Sequence, residues 1–141
     1  MATRIRTRVL RVRVRAVAVV IEGGEVLVIA REKAGKKYCV LPGGGVELDE
    51  SPQQACLREL REETGLEGTI VRRLAIPGLS NEEAVYFEVA VRTRRLRLGG
   101  PEVERSSAIN RYEPLWAGLD SLTDLVPMAA HAAISATQSG E

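Results

Sequence analysis

The sequence predicts one mixed α/β domain, of the α+β kind, from three observations. Short apolar stretches with period-two alternation recur along the chain, and one longer segment carries complete helix start and stop signals. No repeat, linker or low-complexity tract divides residues 1–141, so they are expected to form a single domain. At 141 residues the chain is long enough to bury a core without staples.

Residues 11–21, RVRVRAVAVVI, alternate and then turn solidly apolar, as a strand entering a core does. Arg4, Arg6, Arg8, Arg11, Arg13 and Arg15 make a basic face, open to three roles: a solvated strand face, a blunted sheet edge, or phosphate binding. Glu22-Gly23-Gly24-Glu25 predicts a hairpin turn, with residues 26–30 as the return strand. Residues 33–37 read as a polar loop around Gly35. Residues 38–41 read as a short strand ended by Pro42 and Gly43-Gly44-Gly45. A helix then follows: Ser51 is its N-cap, Pro52 its first residue, Gln54 the other half of a capping box, and Gly65 its stop. Ala55, Cys56, Leu57, Leu60 and Thr64 form its docking side. Residues 69–76 and 84–92 read as strands. In the second, Val85, Phe87, Val89 and Val91 point one way, Tyr86 and Glu88 the other. A loop at Gly99-Gly100-Pro101, a strand around 114–117 and a helical end over 119–136, broken or started at Pro127, complete the chain.

Composition narrows the function classes. The chain is 45% hydrophobic and 28% charged with net charge +1, which gives no drive towards DNA or an anionic membrane. Aromatics at 4% are too few for a single-strand stacking platform, which disfavours RNA. No apolar run approaches the ~20 residues that span a bilayer. No secretory apolar segment follows the Arg-rich start, so Cys39 and Cys56 are expected as buried free thiols in a cytoplasmic, reducing compartment.

The stretch from Gly44 to Leu66 holds the chemistry. As a helix it places Glu59, Glu62 and Glu63 at i, i+3 and i+4 on one face. Like charges repel at these spacings, near the negative end of the helix dipole, at a cost of a few tenths of a kcal/mol to ~1 each. Anions concentrated there call for a cation. Carboxylates without His or Cys make a hard-oxygen site suited to Mg²⁺ or Mn²⁺ and poor for zinc. The bland alternative is a solvated acidic face in which Arg58–Glu62 is an ordinary i, i+4 pair.

Gly44, Glu50, Arg58, Glu59, Leu60, Glu62, Glu63, Gly65 and Leu66 supply every specified position of a spaced motif, with Leu41-Pro42-Gly43 before it and Trp116 near the chain end. The chain therefore resembles the Nudix family, hydrolases acting on nucleoside diphosphates linked to another moiety. The resemblance implies a mixed β-sheet sandwiched between helices. It implies hydrolysis of a phosphorus-containing acid anhydride, the pyrophosphate bond of a nucleoside di- or triphosphate or a nucleoside-diphosphate derivative. Glu59 and Glu63 are implied as ligands of Mg²⁺ or Mn²⁺, with Glu62 assisting and the Gly43 carbonyl adding a ligand. Arg58 is implied to orient the acids, Glu50 among them, so Arg58, Glu59 and Glu62 are the expected catalytic residues. Gly44 and Glu47 are further candidates at the substrate.

The chain departs from the family pattern at three places. Asp49 precedes Glu50 where Gly is frequent, Cys39 stands where an aromatic is common, and Ile109-Asn110-Arg111-Tyr112-Glu113 lacks the extra Glu that often lies just before the late Trp. The general base is open among Glu59, Glu88, Glu102, Glu104 and Glu113. Arg31 reads either as a phosphate contact or as an exposed charge, Tyr86 and Glu88 either as cleft-facing or as an outer sheet face. Trp116 reads as core rather than base-stacking, and His131 as structural or exposed. Around Asn81-Glu82-Glu83 neither the Pro of ADP-ribose-cleaving relatives nor the Tyr of dinucleoside-polyphosphate relatives is present, which disfavours both substrates without excluding them; the expected partner is a small-molecule (d)NTP or nucleoside-diphosphate derivative. Two other function classes stay open: a non-catalytic nucleotide-binding regulatory module, and an RNA 5′-end pyrophosphohydrolase using the basic face. A homodimer through the N-terminal strand is also left open.

Overall fold

The computed structural model describes residues 13–97 and 110–138, with strands β1 (Arg15–Val19), β2 (Ile21–Glu22), β3 (Glu25–Lys33), β4 (Lys36–Val40), β5 (Gly43–Gly45), β6 (Gly68–Leu74), β7 (Ala84–Val91) and β8 (Asn110–Gly118). Helix α1 (Pro52–Thr64) lies between β5 and β6, and α2 (Met128–Gln138) closes the chain after a 3₁₀ turn at Leu119–Ser121. The fold is α+β, as expected. One sheet runs β5-β1-β7-β6, mixed because β1 and β7 are parallel while the other pairs are antiparallel. In the second sheet β3 pairs with β8 along one edge and with β2 and β4 along the other.

Strand β1 shows why its sequence is solidly apolar: both of its faces are covered. Ala16, Ala18 and Val20 join Val85, Phe87 and Val89 of β7 under Ala55, Cys56 and Leu60 of α1. Val17 and Val19 face the other way, with Tyr86, Leu125 and the α2 residues Ala130, Ala133 and Ile134. The sheet is thus sandwiched between helices, as the resemblance implies. Each fully buried Leu or Phe in these layers contributes about 1.5–3 kcal/mol relative to exposure.

Several elements differ from the sequence expectation. Residues 33–37 are not a loop: Lys33 pairs with Lys36 across a two-residue turn at Ala34-Gly35, both with positive φ (51° and 84°). Gly43-Gly44-Gly45 does not merely end a strand but is one, paired with Arg15, Ala16 and Val17. A Cβ on Gly43 would sit 2.5 Å from the Ala16 carbonyl oxygen, so only glycine lets β5 approach β1 this closely. The strand expected at 69–76 is met by Gly68–Leu74, and β8 runs further than 114–117 because its edge is matched to all of β3. The α-helix expected over 119–136 begins only at Met128 and runs to Gln138, so Pro127 marks a start. Cys56 is buried but Cys39 is only half-buried, and both thiols are free. No helix among the described residues is long and apolar enough to cross a membrane. Arg4, Arg6, Arg8 and Arg11, the loop at Gly99-Gly100-Pro101, and Glu102 and Glu104 lie outside the described residues.

Candidate functional site

Helix α1 is fixed at both ends by local chemistry. The Ser51 hydroxyl accepts from the Gln54 amide at 3.1 Å while the Gln54 side chain accepts from the Ser51 amide at 2.8 Å. Gly65 closes the helix in the left-handed conformation, φ 82°, and its amide donates to the Arg61 carbonyl. With Ala55, Cys56, Leu60 and Thr64 buried against the sheet, the charged side is held in one rotational setting.

On that side Arg58 organises the carboxylates. Its Nε donates to Glu50 at 2.7 Å and its Nη2 to the other Glu50 oxygen at 3.0 Å, a two-pronged pair. Nη1 reaches Glu59 at 3.0 Å and Glu62 at 3.4 Å; Nη2 also donates to the Gly45 carbonyl at 3.1 Å and lies 3.9 Å from Glu47. Hydrogen bonding from Arg58 holds Glu50 below its ordinary carboxylate value, and Glu50 in turn pushes the Arg58 pKa up. The bland i, i+4 pair is present as Arg58–Glu62, but it is one arm of a larger fork. Glu63 works across the interface instead, accepting the Gly43 amide at 3.0 Å. The Glu59 carboxylate packs against Gly44, where any Cβ would collide with it. So α1 and the glycine strand meet through Glu59, Glu63 and Arg58.

These residues fit a hard divalent cation. All the donors are oxygens, and the carboxylates that Arg58 meets outnumber its single charge. Among the described residues no three His, Cys, Asp or Glu side chains already enclose a metal position. A Mg²⁺ ion does not require one, since it binds through one or two carboxylates and completes its shell with water and substrate phosphate.

The ladder between β5 and β1 separates this acidic face from a cavity of about 430 Å³. Val17, Leu41 and Tyr86 form part of its wall, Ala129 and Ala130 of α2 another, and Arg15, Arg31 and Glu83 supply its charges. Arg31 is the direct cross-strand partner of Tyr38 on β4 and of Tyr112 on β8. Its guanidinium lies 5.7 Å and 4.5 Å from their ring centres and donates to the Tyr112 hydroxyl at 2.9 Å. Tyr86 is 3% exposed, so it is no outer sheet face, and burial raises its pKa. Glu88, on the same side of β7, is not brought to this cavity. It pairs with Arg72 at 2.8 Å and borders a separate cavity of about 240 Å³ near the end of α2. Glu113 is exposed on β8. Glu47, Glu50 and Arg58 also border a broad surface depression of about 680 Å³ beside the exposed Leu48.

Sequence reasoning placed Arg15 on a basic face but not at a cavity, and it missed Tyr112 and Tyr38 as partners of Arg31. Strand alternation sets Arg15 and Val17 on one face, which was the available signal for the first. The tyrosines have no local signal, because their meeting with Arg31 exists only in the register of three strands. Trp116 packs at the core edge, with its Nε1 on the Arg94 carbonyl and its ring under the Arg94 guanidinium. His131 bonds the Leu125 carbonyl at 2.9 Å.

The NUDIX domain family model matches residues 11–134. The chain belongs to the Nudix family. This Nudix domain is 48% identical over 50 residues to Nudix hydrolase 21, chloroplastic, of Arabidopsis thaliana, a match covering 36% of the chain and 25% of the relative, so the chain spans about a quarter of that relative's length. Among solved structures it resembles a NUDIX hydrolase from Nitrosomonas europaea, with a TM-score of 0.65, 21% identity and coverage of 91% and 89% of the two chains. It also resembles a MutT NUDIX hydrolase from Burkholderia pseudomallei, with a TM-score of 0.62, 25% identity and coverage of 88% and 96%.

Proposed function

We propose that residues 1–141 act as one Nudix hydrolase unit, cleaving a pyrophosphate bond in a nucleoside di- or triphosphate or a nucleoside-diphosphate derivative with Mg²⁺ or Mn²⁺. The observation that carries this is the Arg58 fork, which gathers Glu50, Glu59 and Glu62 while Glu63 locks the same helix to the Gly43 amide. A solvated acidic face has no reason to invest a two-pronged arginine and a glycine strand in fixing its carboxylates.

In this reading Glu59, Glu62, Glu63 and the Gly43 carbonyl hold the divalent cation. When bound, it neutralises diphosphate charge and lowers the pKa of an attacking water. Arg58 keeps the acids apart and correctly turned. Gly44 leaves room for the Glu59 carboxylate against the β5 backbone at the place where the substrate would lie, and Glu47 stands at the edge of the same face. Glu62, whose side chain is 43% exposed and whose bond to Arg58 is long at 3.4 Å, is the α1 acid best placed to take a proton from water. Glu88 is paired with Arg72 and Glu113 is exposed on β8, so among the described residues Glu59 and Glu62 are the favoured bases, with Glu102 and Glu104 outside that set. Arg31 and Tyr86 line the cavity that would receive the rest of the substrate.

The test is pyrophosphohydrolase activity against a nucleotide panel with Mg²⁺ and with Mn²⁺, for wild type, Glu62→Gln and Glu63→Gln. Each variant is expected to lose about 100-fold or more in kcat, since even residues that merely support metal ligands are worth 10–100-fold. Undiminished turnover in both would sink the site.

A further inference from the structure

Tyr86 is built into the middle of a sheet. Its backbone pairs with Val17 of β1 on one side and with Leu74 of β6 on the other, and its ring joins the core that faces α2. It is 3% exposed, and burial raises its pKa, so the phenol is a neutral O–H. The hydroxyl, however, makes no bond that holds the fold. Among the described residues it has no hydrogen-bond partner, whereas the Tyr112 hydroxyl accepts from Arg31. Every sealed side-chain oxygen and nitrogen among those residues is bonded, so the unbonded Tyr86 oxygen opens into a cavity. A buried polar group without a partner is costly, and phenylalanine would fill the same space without that cost. Two cavities meet at this side chain, of about 430 and 360 Å³, and Leu79, Ala84 and Tyr86 border both. Beside Leu79 and Ala84 the hydroxyl is a polar point on an apolar wall. The charge of Arg15 reaches it, which disfavours a cationic partner.

We propose that Tyr86 is a specificity-determining residue, whose hydroxyl donates a hydrogen bond to a neutral oxygen of the substrate outside its phosphates, a base carbonyl or a sugar hydroxyl. That the ligand is a nucleotide rests on the hydrolase function above; the demand for an acceptor rests on the cavity and its unpartnered hydroxyl. Glu59 and Glu63 stand against Gly44 and Gly43 on the α1 side, so the diphosphate to be cleaved lies there. The neutral part of the molecule is what reaches the α2 side, where Tyr86 opens. A hydroxyl held in the interior of a strand and packed against a helix loses little freedom when it bonds, so the new bond is not spent on ordering it. An analogue without the oxygen leaves the hydroxyl unpaired, which is how a fixed polar group selects among ligands.

The experiment is equilibrium binding of five nucleoside 5′-monophosphates to the full chain in EDTA, by calorimetry, for wild type and Tyr86→Phe. The ligands are AMP, 2′-deoxy-AMP, 3′-deoxy-AMP, IMP and UMP. All five share the phosphate, IMP and UMP carry a base carbonyl that AMP lacks, and each deoxy form lacks one sugar hydroxyl. Tyr86→Phe keeps the ring and should leave Tm unchanged. It is expected to weaken, by about fivefold, only the ligands that bear the oxygen being read. A loss for IMP or UMP with AMP spared identifies a base carbonyl. A loss for every ligand except one deoxy form identifies the sugar hydroxyl which that form lacks. Equal loss for all five, no loss for any, or no binding by wild type overturns the proposal. Binding without metal or turnover separates the two claims. A chain that shows this selectivity but hydrolyses nothing keeps the role of Tyr86 and loses the hydrolase reading. A chain that hydrolyses nucleotides while Tyr86→Phe moves all five ligands alike does the reverse.

Discussion

On one face of the β5-β1-β7-β6 sheet, Ala16, Ala18, Val85 and Phe87 are packed tightly under a helix capped at both ends. On the other, Val17, Val19 and Tyr86 meet an alanine-rich helix and leave a cavity beside it. The first face contains Phe87 and Leu60, each essentially inaccessible, and it carries the charged fork on the outside of α1. The second borders a cavity, where Arg31 is oriented by aromatic contacts rather than by a carboxylate. One side holds chemical groups in fixed places; the other offers room. A sheet one strand thick lets residues one position apart, Ala16 and Val17, serve both.

Breaking the packed face should cost most. Phe87→Ala is expected to lose about 3–5 kcal/mol in urea unfolding, whereas Ile134→Val, across the sheet on α2, should lose only about 0.5–1.5 kcal/mol. A loss at Phe87 no larger than that at Ile134 would mean that the Phe87 face is loosely packed, since truncating Phe87 removes far more buried side chain.

The glycine strand sharpens the comparison at the seam. At Gly43 an added Cβ meets backbone, the Ala16 carbonyl oxygen at 2.5 Å and the Val17 Cα at 2.9 Å, which cannot yield. Gly43→Ala should therefore cost about 1–3 kcal/mol of stability. At Gly44 the obstacle is the end of the Glu59 side chain, which can swing away. Gly44→Ala should leave stability within about 1 kcal/mol while reducing hydrolysis about tenfold or more, through a displaced Glu59. If Gly44→Ala unfolds the protein and Gly43→Ala does not, the division between fold and site has been drawn in the wrong place.

A smaller effect is expected at the cap. Ser51→Ala removes one of the two reciprocal bonds at the start of α1 and should cost about 1 kcal/mol by thermal or urea unfolding. That loss was foreseeable from sequence, and the reason separates what was legible from what was not. Ser51, Pro52, Gln54, Gly65 and the spacing of Glu59, Glu62 and Glu63 act within a few residues of one another, so the helix and its charged face could be read directly. Tyr86 and Glu88 were placed on one side of their strand by simple alternation, but whether that side met solvent or α2 depended on distant chain. The strand Gly43–Gly45 has no side chains to carry a pattern; its pairing is imposed by β1. The meeting of Arg31 with Tyr38 and Tyr112 needed the register of β3 with two other strands, information that no local window contains.

The two cysteines give the finest contrast between the faces. Burial on the docking side of α1 pushes the Cys56 thiol up to about 12, while Cys39, half-buried on β4 and close to Asp124, is raised to about 11. A thiol whose folded pKa exceeds its unfolded value of 9.0 stays neutral in the folded chain after the unfolded chain has begun to ionise. Its contribution is thus fully present below pH 9.0 and is lost as pH rises from there towards 12. For Cys56 the loss should reach a few tenths of a kcal/mol to ~1 over the first half unit above the unfolded value. Urea unfolding of wild type and Cys56→Ala as a function of pH isolates it, because other alkaline titrations are common to both chains. The stability gap between them should be constant below pH 9.0 and narrow above it. A gap that stays level through that range would mean that the thiol is as accessible to ionisation folded as unfolded, and that the α1 face is looser than its packing indicates.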